Sequence, residues 1–309
     1  MKILRVLLGL MSIVSLALGD TSESNRSIFN GKDLTGWSML PGKPPGFTVV
    51  NGVIKTRLTG GSNLFTVEHF GNYVLRFEYL LSKVGNSGVL IRCDPKDPWT
   101  SGVEVQLLAP WTPYRDDLHC TGSLYGYVAV TNRPDETTGI WHSMEIHCNR
   151  TAIEVSVDGR LTTVADTVKV KTLNKKLLTG AIGFQTNHGK PGEFAQFRKV
   201  ELRNLDADPA YVLKGLSHTD ARFRVQAREA AVALGAIMIG PLARTMDSDE
   251  VMARSGARQA LFDIVAAAST PQQAAGVRTA VAQALQDAQN TKPSEITAEY
   301  LKWLQGMIT

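Results

Sequence analysis

Glu104 and Gln106 are the residues from which a chemistry can first be built. They lie in the run Gly102 to Leu108, GVEVQLL, where Val103, Val105 and Leu107 alternate with them. A period of two puts the three apolar side chains on one face of a strand and leaves a carboxylate beside a carboxamide on the other. The stretch Gly85–Gly126 around them also gathers Asn86, Arg92, His119 and Tyr125 among apolar runs and glycine turns. A polar sheet face of this kind suits a sugar-binding groove. The plainer alternative is a solvent-facing strand, since such alternation is routine in antiparallel sheets.

Hydrolysis of a glycosidic bond by the ordinary route takes two carboxyl groups, roughly 5–5.5 Å apart for retention and wider for inversion. Glu104 has no such partner on its strand: Gln106 holds the second position and Leu108 the fourth. A carboxamide binds a hydroxyl but neither attacks as a nucleophile nor exchanges a proton at neutral pH. Two-carboxylate hydrolysis is therefore disfavoured here. His142 and His147 are five apart on an expected strand, face opposite sides and cannot chelate one ion together. With His69 and His218 they read as structural. His188 differs, because QTNHG follows the apolar strand GAIGF and sets it beside Gln185 and Asn187. Loops carried by a rigid scaffold often hold sites. Arg92 shares the parity of Asn86, which suits both lining a polar sheet face; an arginine covering apolar sheet surface is the alternative. Tyr125, between Gly122 and Gly126, offers a phenol as an acid or a ring as a sugar platform, with a core tyrosine as the bland counterpart.

The elements that must position these groups are mostly strands. Asn51-Gly52 and Asp158-Gly159 separate β-rich runs and signal hairpins, because both turn residues tolerate positive φ. About nine or ten short strands with almost no helix pattern, up to Leu205-Asp206, indicate an all-β sandwich or jelly roll. Beyond that point alanine, arginine and leucine take over. The stretch from Leu213 aligns with the stretch from Ala243 at an offset of thirty residues, pairing Leu216 with Met246, Asp220 with Glu250, Arg224 with Arg254 and Leu234 with Ile264. Such paired helices resemble HEAT-type repeats, a plain helical bundle being the alternative. The expected division is residues 20–206 for the β domain and 207–309 for the helical one.

The chain has 309 residues, 43% hydrophobic and 20% charged, enough to bury a proper core. A net charge of +4 with scattered lysines and arginines is not the footprint of a nucleic-acid binder. Residues 1–19 read as a signal peptide: Lys2 and Arg5, the apolar run Val6–Leu18, then Ala17-Leu18-Gly19 as a small-x-small cleavage site. That run is short for a membrane span, which needs roughly 20 residues. An exported, periplasmic or extracellular protein is expected, with no transmembrane segment after cleavage. Two of the three cysteines, Cys93, Cys120 and Cys148, are then free to pair, and their spacing with histidine matches no zinc pattern.

Several blocks together resemble one family. FNGKDLTGW (Phe29–Trp37), NSGVLIR (Asn86–Arg92), GVEVQLL (Gly102–Leu108), TGSLYG (Thr121–Gly126), the tryptophan-led strand from Trp141, and GAIGFQTNHG with FRKVELRNL are similar, in order, to the 3-keto-disaccharide hydrolases. The resemblance covers Ile28 to Leu205. It implies a concanavalin-A-like jelly roll and cleavage of glycosides already oxidised at C3. Three departures stand out: Ala109 where the family often has an aspartate, His142 after Trp141, and the insertion PWTPYRDD. A ketone at C3 acidifies the C2 proton, so one base can start β-elimination of the C1 substituent, with water adding afterwards. The implied roles are Glu104 or His188 as base, Arg92 with an optional divalent cation on the enolate, and Tyr125 as proton donor. Asn86, Gln106, Gln185 and His119 would contact substrate. The rival from another class is a lectin-like binding module joined to a protein-docking solenoid.

Overall fold

The computed structural model describes residues 25–112 and 115–308. The leader read as a signal peptide lies outside them. Among these residues thirteen strands, numbered in chain order, form two antiparallel sheets. The eight-stranded sheet runs β11 (Arg160–Asp166), β10 (Ala152–Val157), β9 (His142–Asn149), β6 (Tyr73–Leu81), β13 (Ala195–Asn204), β4 (Val53–Thr56) and β3 (Phe47–Val50), with β1 (Arg26–Ser27) on β13. The five-stranded sheet runs β2 (Trp37–Met39), β5 (Leu64–Thr66), β12 (Ala181–Phe184), β7 (Asn86–Cys93) and β8 (Val103–Leu108). This is a jelly-roll-like sandwich.

The alternating patterns explain why the sheets face each other. Leu75, Phe77, Met144, Ile146 and Phe197 from the larger sheet meet Val89, Ile91, Val103, Val105 and Leu107 from the smaller one in a single buried cluster. Phe184 stacks on Phe197 with centroids 4.0 Å apart and on Trp37 at 5.3 Å, tying the two layers together. Each such side chain, fully buried, contributes about 1.5–3 kcal/mol. The hairpin signals act as read: Asn51 (φ 50°) and Gly52 (φ 75°) join β3 to β4, and Asp158 (φ 49°) and Gly159 (φ 73°) join β10 to β11. Two consecutive left-handed residues match the right-handed twist of the strands they connect.

A short helix, α1 (Pro98–Ser101), links β7 to β8. After β13 the chain turns through Leu205–Ala207 into α2 (Pro209–Leu216), α3 (Ala221–Leu234), α4 (Ala236–Met246), α5 (Val251–Ala268), α6 (Ala275–Asn290) and α7 (Glu295–Ile308). One pair of positions in the thirty-residue alignment makes like contacts. Arg224 donates to the His218 carbonyl at 2.7 Å, and Arg254 donates to the Ser248 carbonyl at 2.8 Å, each six residues back across a helix start. The helices dock on one end of the sandwich through the β9–β10 turn. The Arg150 guanidinium lies 5.2 Å from the Tyr211 ring centre and 5.8 Å from that of Phe223, while Tyr211 Oη donates to Asn149 at 2.9 Å. The three cysteines are all free and buried, so the pairing open to two of them is not made. Among the described residues no helix is long and apolar enough to cross a membrane.

Candidate functional site

The site is assembled by registering four segments side by side. β8 keeps its period of two: Val103, Val105 and Leu107 enter the core, so Glu104 and Gln106 occupy the outer face of the five-stranded sheet. On one side β7 sets Gly88 opposite Gln106, Leu90 opposite Glu104 and Asn86 opposite Leu108. Beyond it, the Gln185 N–H donates to the Gly88 carbonyl at 2.9 Å, continuing the β12–β7 register. On the other side the long β8–β9 connection folds back along β8. The Gln106 N–H donates to Ser123 O at 3.0 Å and the Tyr125 N–H to Glu104 O at 2.9 Å, around a bridge between Val105 and Leu124. Since Leu124 is in the core, Ser123 and Tyr125 share the outer face. Two rows result: Gln185, Gly88, Gln106, Ser123, and beside it Gly183, Leu90, Glu104, Tyr125.

Gly88 is what lets the rows close. A methyl group there would sit 2.8 Å from Glu104 Cδ and closer still to Oε1, so the glutamate carboxyl lies across the space that any other residue would fill. Glu104 as a residue is half-buried, yet its Oε1 is sealed and has no hydrogen-bond partner among the described residues. Burial pushes its carboxyl up to about 8. Gln106 Oε1, Ser123 Oγ and Gln185 Oε1 are likewise buried without partners among the described residues. Buried polar groups in folded proteins are nearly always paired. Four unpaired oxygens on one sheet face therefore point to a polar ligand. Asn86 borders them, its Oδ1 3.4 Å from Gln106 Nε2.

The loop from Ala109 to Trp141 adds His119. Its Nδ1 donates to Asp116 at 2.7 Å, and its ring meets the Tyr125 ring edge-on with centroids 4.8 Å apart. That hydrogen bond holds the Asp116 carboxyl below the usual carboxylate range. A loop of this length needs internal support, and Glu136 supplies it. Its carboxylate, with a side chain only 2% exposed, accepts from Arg115 Nη2 at 2.7 Å and from the Thr121 N–H at 3.2 Å. Arg133, 3.7 Å from the same carboxylate, also pairs with Asp117 at 2.8 Å.

Two of the expected catalytic residues fall elsewhere. Arg92 does not line the polar face. It adopts φ +51°, and the ladder slips there, so that Ala181 pairs with Cys93 but Gly183 with Leu90. This bulge puts Cys93 on the outer face with Leu90 and Phe65. The Arg92 guanidinium, on a residue 2% exposed, donates to the carbonyls of Gly71 (2.7 Å) and Arg150. It is a structural tie between the sheets. His188 sits on the β12–β13 loop with its Nδ1 3.4 Å from Glu193 and its side chain 46% exposed. The Glu193 carboxylate in turn caps the N–H groups of His188 and Lys190, each at 3.0 Å. No hydrogen bond or ion pair joins His188 to Glu104 among the described residues.

Two of the three sequence departures, Ala109 and His142, are accommodated locally. Ala109 is fully buried, and its N–H donates to Gly85 O at 2.8 Å. His142 is bonded at both nitrogens, to Asp158 and the Thr137 carbonyl, each at 2.7 Å. A depression of about 440 Å³ on the outer face of the eight-stranded sheet is no rival site. Four of its five charged residues are committed to ion pairs, Arg76 with Glu145 at 2.6 Å and Lys199 with Glu78 at 2.7 Å. Ser123, Gly88 and Asp116 were not singled out by sequence reasoning. The spacing of three to His119 would have found Asp116, whereas the placement of Ser123 depends on the long-range pairing of Leu124 with Val105.

Comparison with known proteins fits this geometry. A family model described as a 3-keto-alpha-glucoside-1,2-lyase-like domain matches residues 24–203, which spans every residue of the two rows. The chain belongs to this family. Two solved structures, each titled a putative glycosyl hydrolase from Parabacteroides distasonis, share the fold. One is 22% identical with a TM-score of 0.52, covering 59% of this chain and 99% of that one. The other is 24% identical with the same score, covering 59% and 94%. No curated protein matches significantly. No three or more His, Cys, Asp or Glu side chains among the described residues converge on a point suited to a metal ion.

Proposed function

We propose that the sandwich cleaves glycosides whose sugar carries a ketone at C3, by elimination across C1–C2 followed by addition of water. The observation that carries this reading is the lone, half-buried carboxyl of Glu104, with its Oε1 unpaired, among unpaired hydroxyl and carboxamide oxygens. One base suffices for this chemistry, whereas ordinary hydrolysis would require a second carboxyl in the rows. Glu104 in its ionised form takes the C2 proton. The C–H electron pair becomes the C2–C3 double bond, and the C3 oxygen takes the negative charge. When that charge returns, the C1–C2 double bond forms and the C1–O bond breaks, the departing oxygen gaining a proton. A base tuned to about 8 is close to the pH at which it must work.

Tyr125, exposed at the end of the Glu104 row, is the donor to the leaving oxygen, and His119, oriented by Asp116, backs its ring. Asn86, Gln106 and Gln185 hold the sugar hydroxyls. We assign the base to Glu104 rather than His188, because only Glu104 belongs to the rows. With no converging ligand set among the described residues, no step is routed through a cation. The reading extends to an exported protein, on the strength of its N-terminal leader, and to a HEAT-like helical stack that contacts another protein, on the strength of its repeat. The test is incubation of the purified chain with methyl 3-keto-α-glucoside and mass spectrometry of the products. A 2-hydroxy-glycal establishes elimination; binding without turnover favours the lectin-like alternative.

A further inference from the structure

We infer that Ser123 is the group that donates a hydrogen bond to the C3 oxygen and holds its charge as the enolate forms. This rests on the reading of a C3-keto substrate. Arg92, the cation expected to do this work, is committed to the carbonyls of Gly71 and Arg150. Some other donor must face the ketone. Of the four unpaired oxygens on the site face, the two carboxamide oxygens of Gln106 and Gln185 only accept, and so does an ionised Glu104. They suit sugar hydroxyls and the C2 proton. Ser123 Oγ alone of the four carries a proton to give, and a ketone or enolate oxygen can only accept.

Its placement matches that task. Ser123 is fully buried, lies directly across from Gln106 and is two residues from Tyr125. Its backbone is fixed on both sides, its N–H donating to Cys120 O at 3.1 Å and its carbonyl accepting from Gln106. The hydroxyl is thus held in a dry place and spends nothing on the protein's own structure. A donor in a preorganised, water-poor site gains strength as charge develops on its partner, and removing one such donor typically lowers kcat about 100- to 1,000-fold. An unpaired buried hydroxyl also contributes nothing to folding, so its loss is harmless to the fold.

The experiment uses the full chain, its Ser123→Ala variant and methyl 3-keto-α-glucoside in D2O. Deuterium entry at C2 is followed by NMR and glycoside cleavage by mass spectrometry. The unaltered chain is read first: if it neither exchanges C2 nor cleaves, the functional reading itself falls. Given an active chain, Ser123→Ala is expected to slow C2 exchange and cleavage together, about 100-fold or more in kcat, with Tm unchanged or raised. Three results would overturn the inference: unchanged kinetics, C2 exchange at the normal rate while cleavage slows, or a lowered Tm accompanying the loss.

Discussion

Replacing Glu104 with glutamine separates the two things its carboxyl does. In the unfolded chain the group loses its proton near 4.5; in the fold, burial delays this to about 8. Between those values the folded protein holds one proton more than the unfolded one, so the Glu104 contribution to stability falls as pH rises. Three and a half pH units at about 1.36 kcal/mol each give a ceiling of about 5 kcal/mol, reached near pH 8 and constant above it. Partial exposure of the residue lets water follow the ionised group, which brings the expected value to about 2–4 kcal/mol. A glutamine stays neutral throughout. Glu104→Gln should therefore match the parent near pH 4.5 and become progressively more stable than it up to about pH 8. Calorimetry of both proteins across that range, read as the difference at each pH, cancels every other titration. Activity should move the opposite way: the kcat/KM of the parent rises through about pH 8 as the base ionises, and the variant has none. A stability difference that stays flat with pH would show that the carboxyl is ionised in the fold throughout, and the account of a desolvated base would be wrong.

The remaining predictions follow from neighbouring residues. Gly88→Ala places a methyl against the Glu104 carboxyl, the mobile end of a side chain, so the fold should persist while kcat drops about 100-fold or more, as for any 1 Å misplacement of a reacting group; circular dichroism beside kinetics checks it. Arg92→Met strips the donors from two carbonyls at a buried site, costing about 3 kcal/mol in urea unfolding, but KM for the folded fraction should not change. Asp116→Asn removes the charge that orients His119 behind the Tyr125 ring, so kcat should fall about tenfold with little change in Tm; steady-state kinetics beside thermal unfolding checks it.

How much of this was legible in the sequence depends on whether a residue obeys local periodicity. β8 was readable because Val103, Val105 and Leu107 alternate without interruption, and the two hairpins because Asn-Gly and Asp-Gly adopt positive φ readily. Arg92 was misread for the opposite reason. One left-handed residue inside β7 breaks the period, and nothing in NSGVLIRC announces that an arginine will occupy it. His188 looked eligible from its glycine-flanked loop, but the partner that claims it, Glu193, is buried only once the loop closes on itself. The return of Thr121–Val128 along β8 is a long-range pairing. Hence Tyr125 could be named from its turn, whereas the position of Ser123 across from Gln106 required the fold. In the helical region Arg224 and Arg254 make like contacts, but Asp220 caps its helix with its side chain and Glu250 does not, which the sequence offset alone could not tell.

The most direct test of the central claim is product analysis of methyl 3-keto-α-glucoside incubated with the full chain and, in parallel, with Glu104→Gln. The full chain should release methanol with a 2-hydroxy-glycal that hydrates to the free 3-keto sugar, and the variant neither product. Tight binding without any release, or release that survives Glu104→Gln, would contradict that claim.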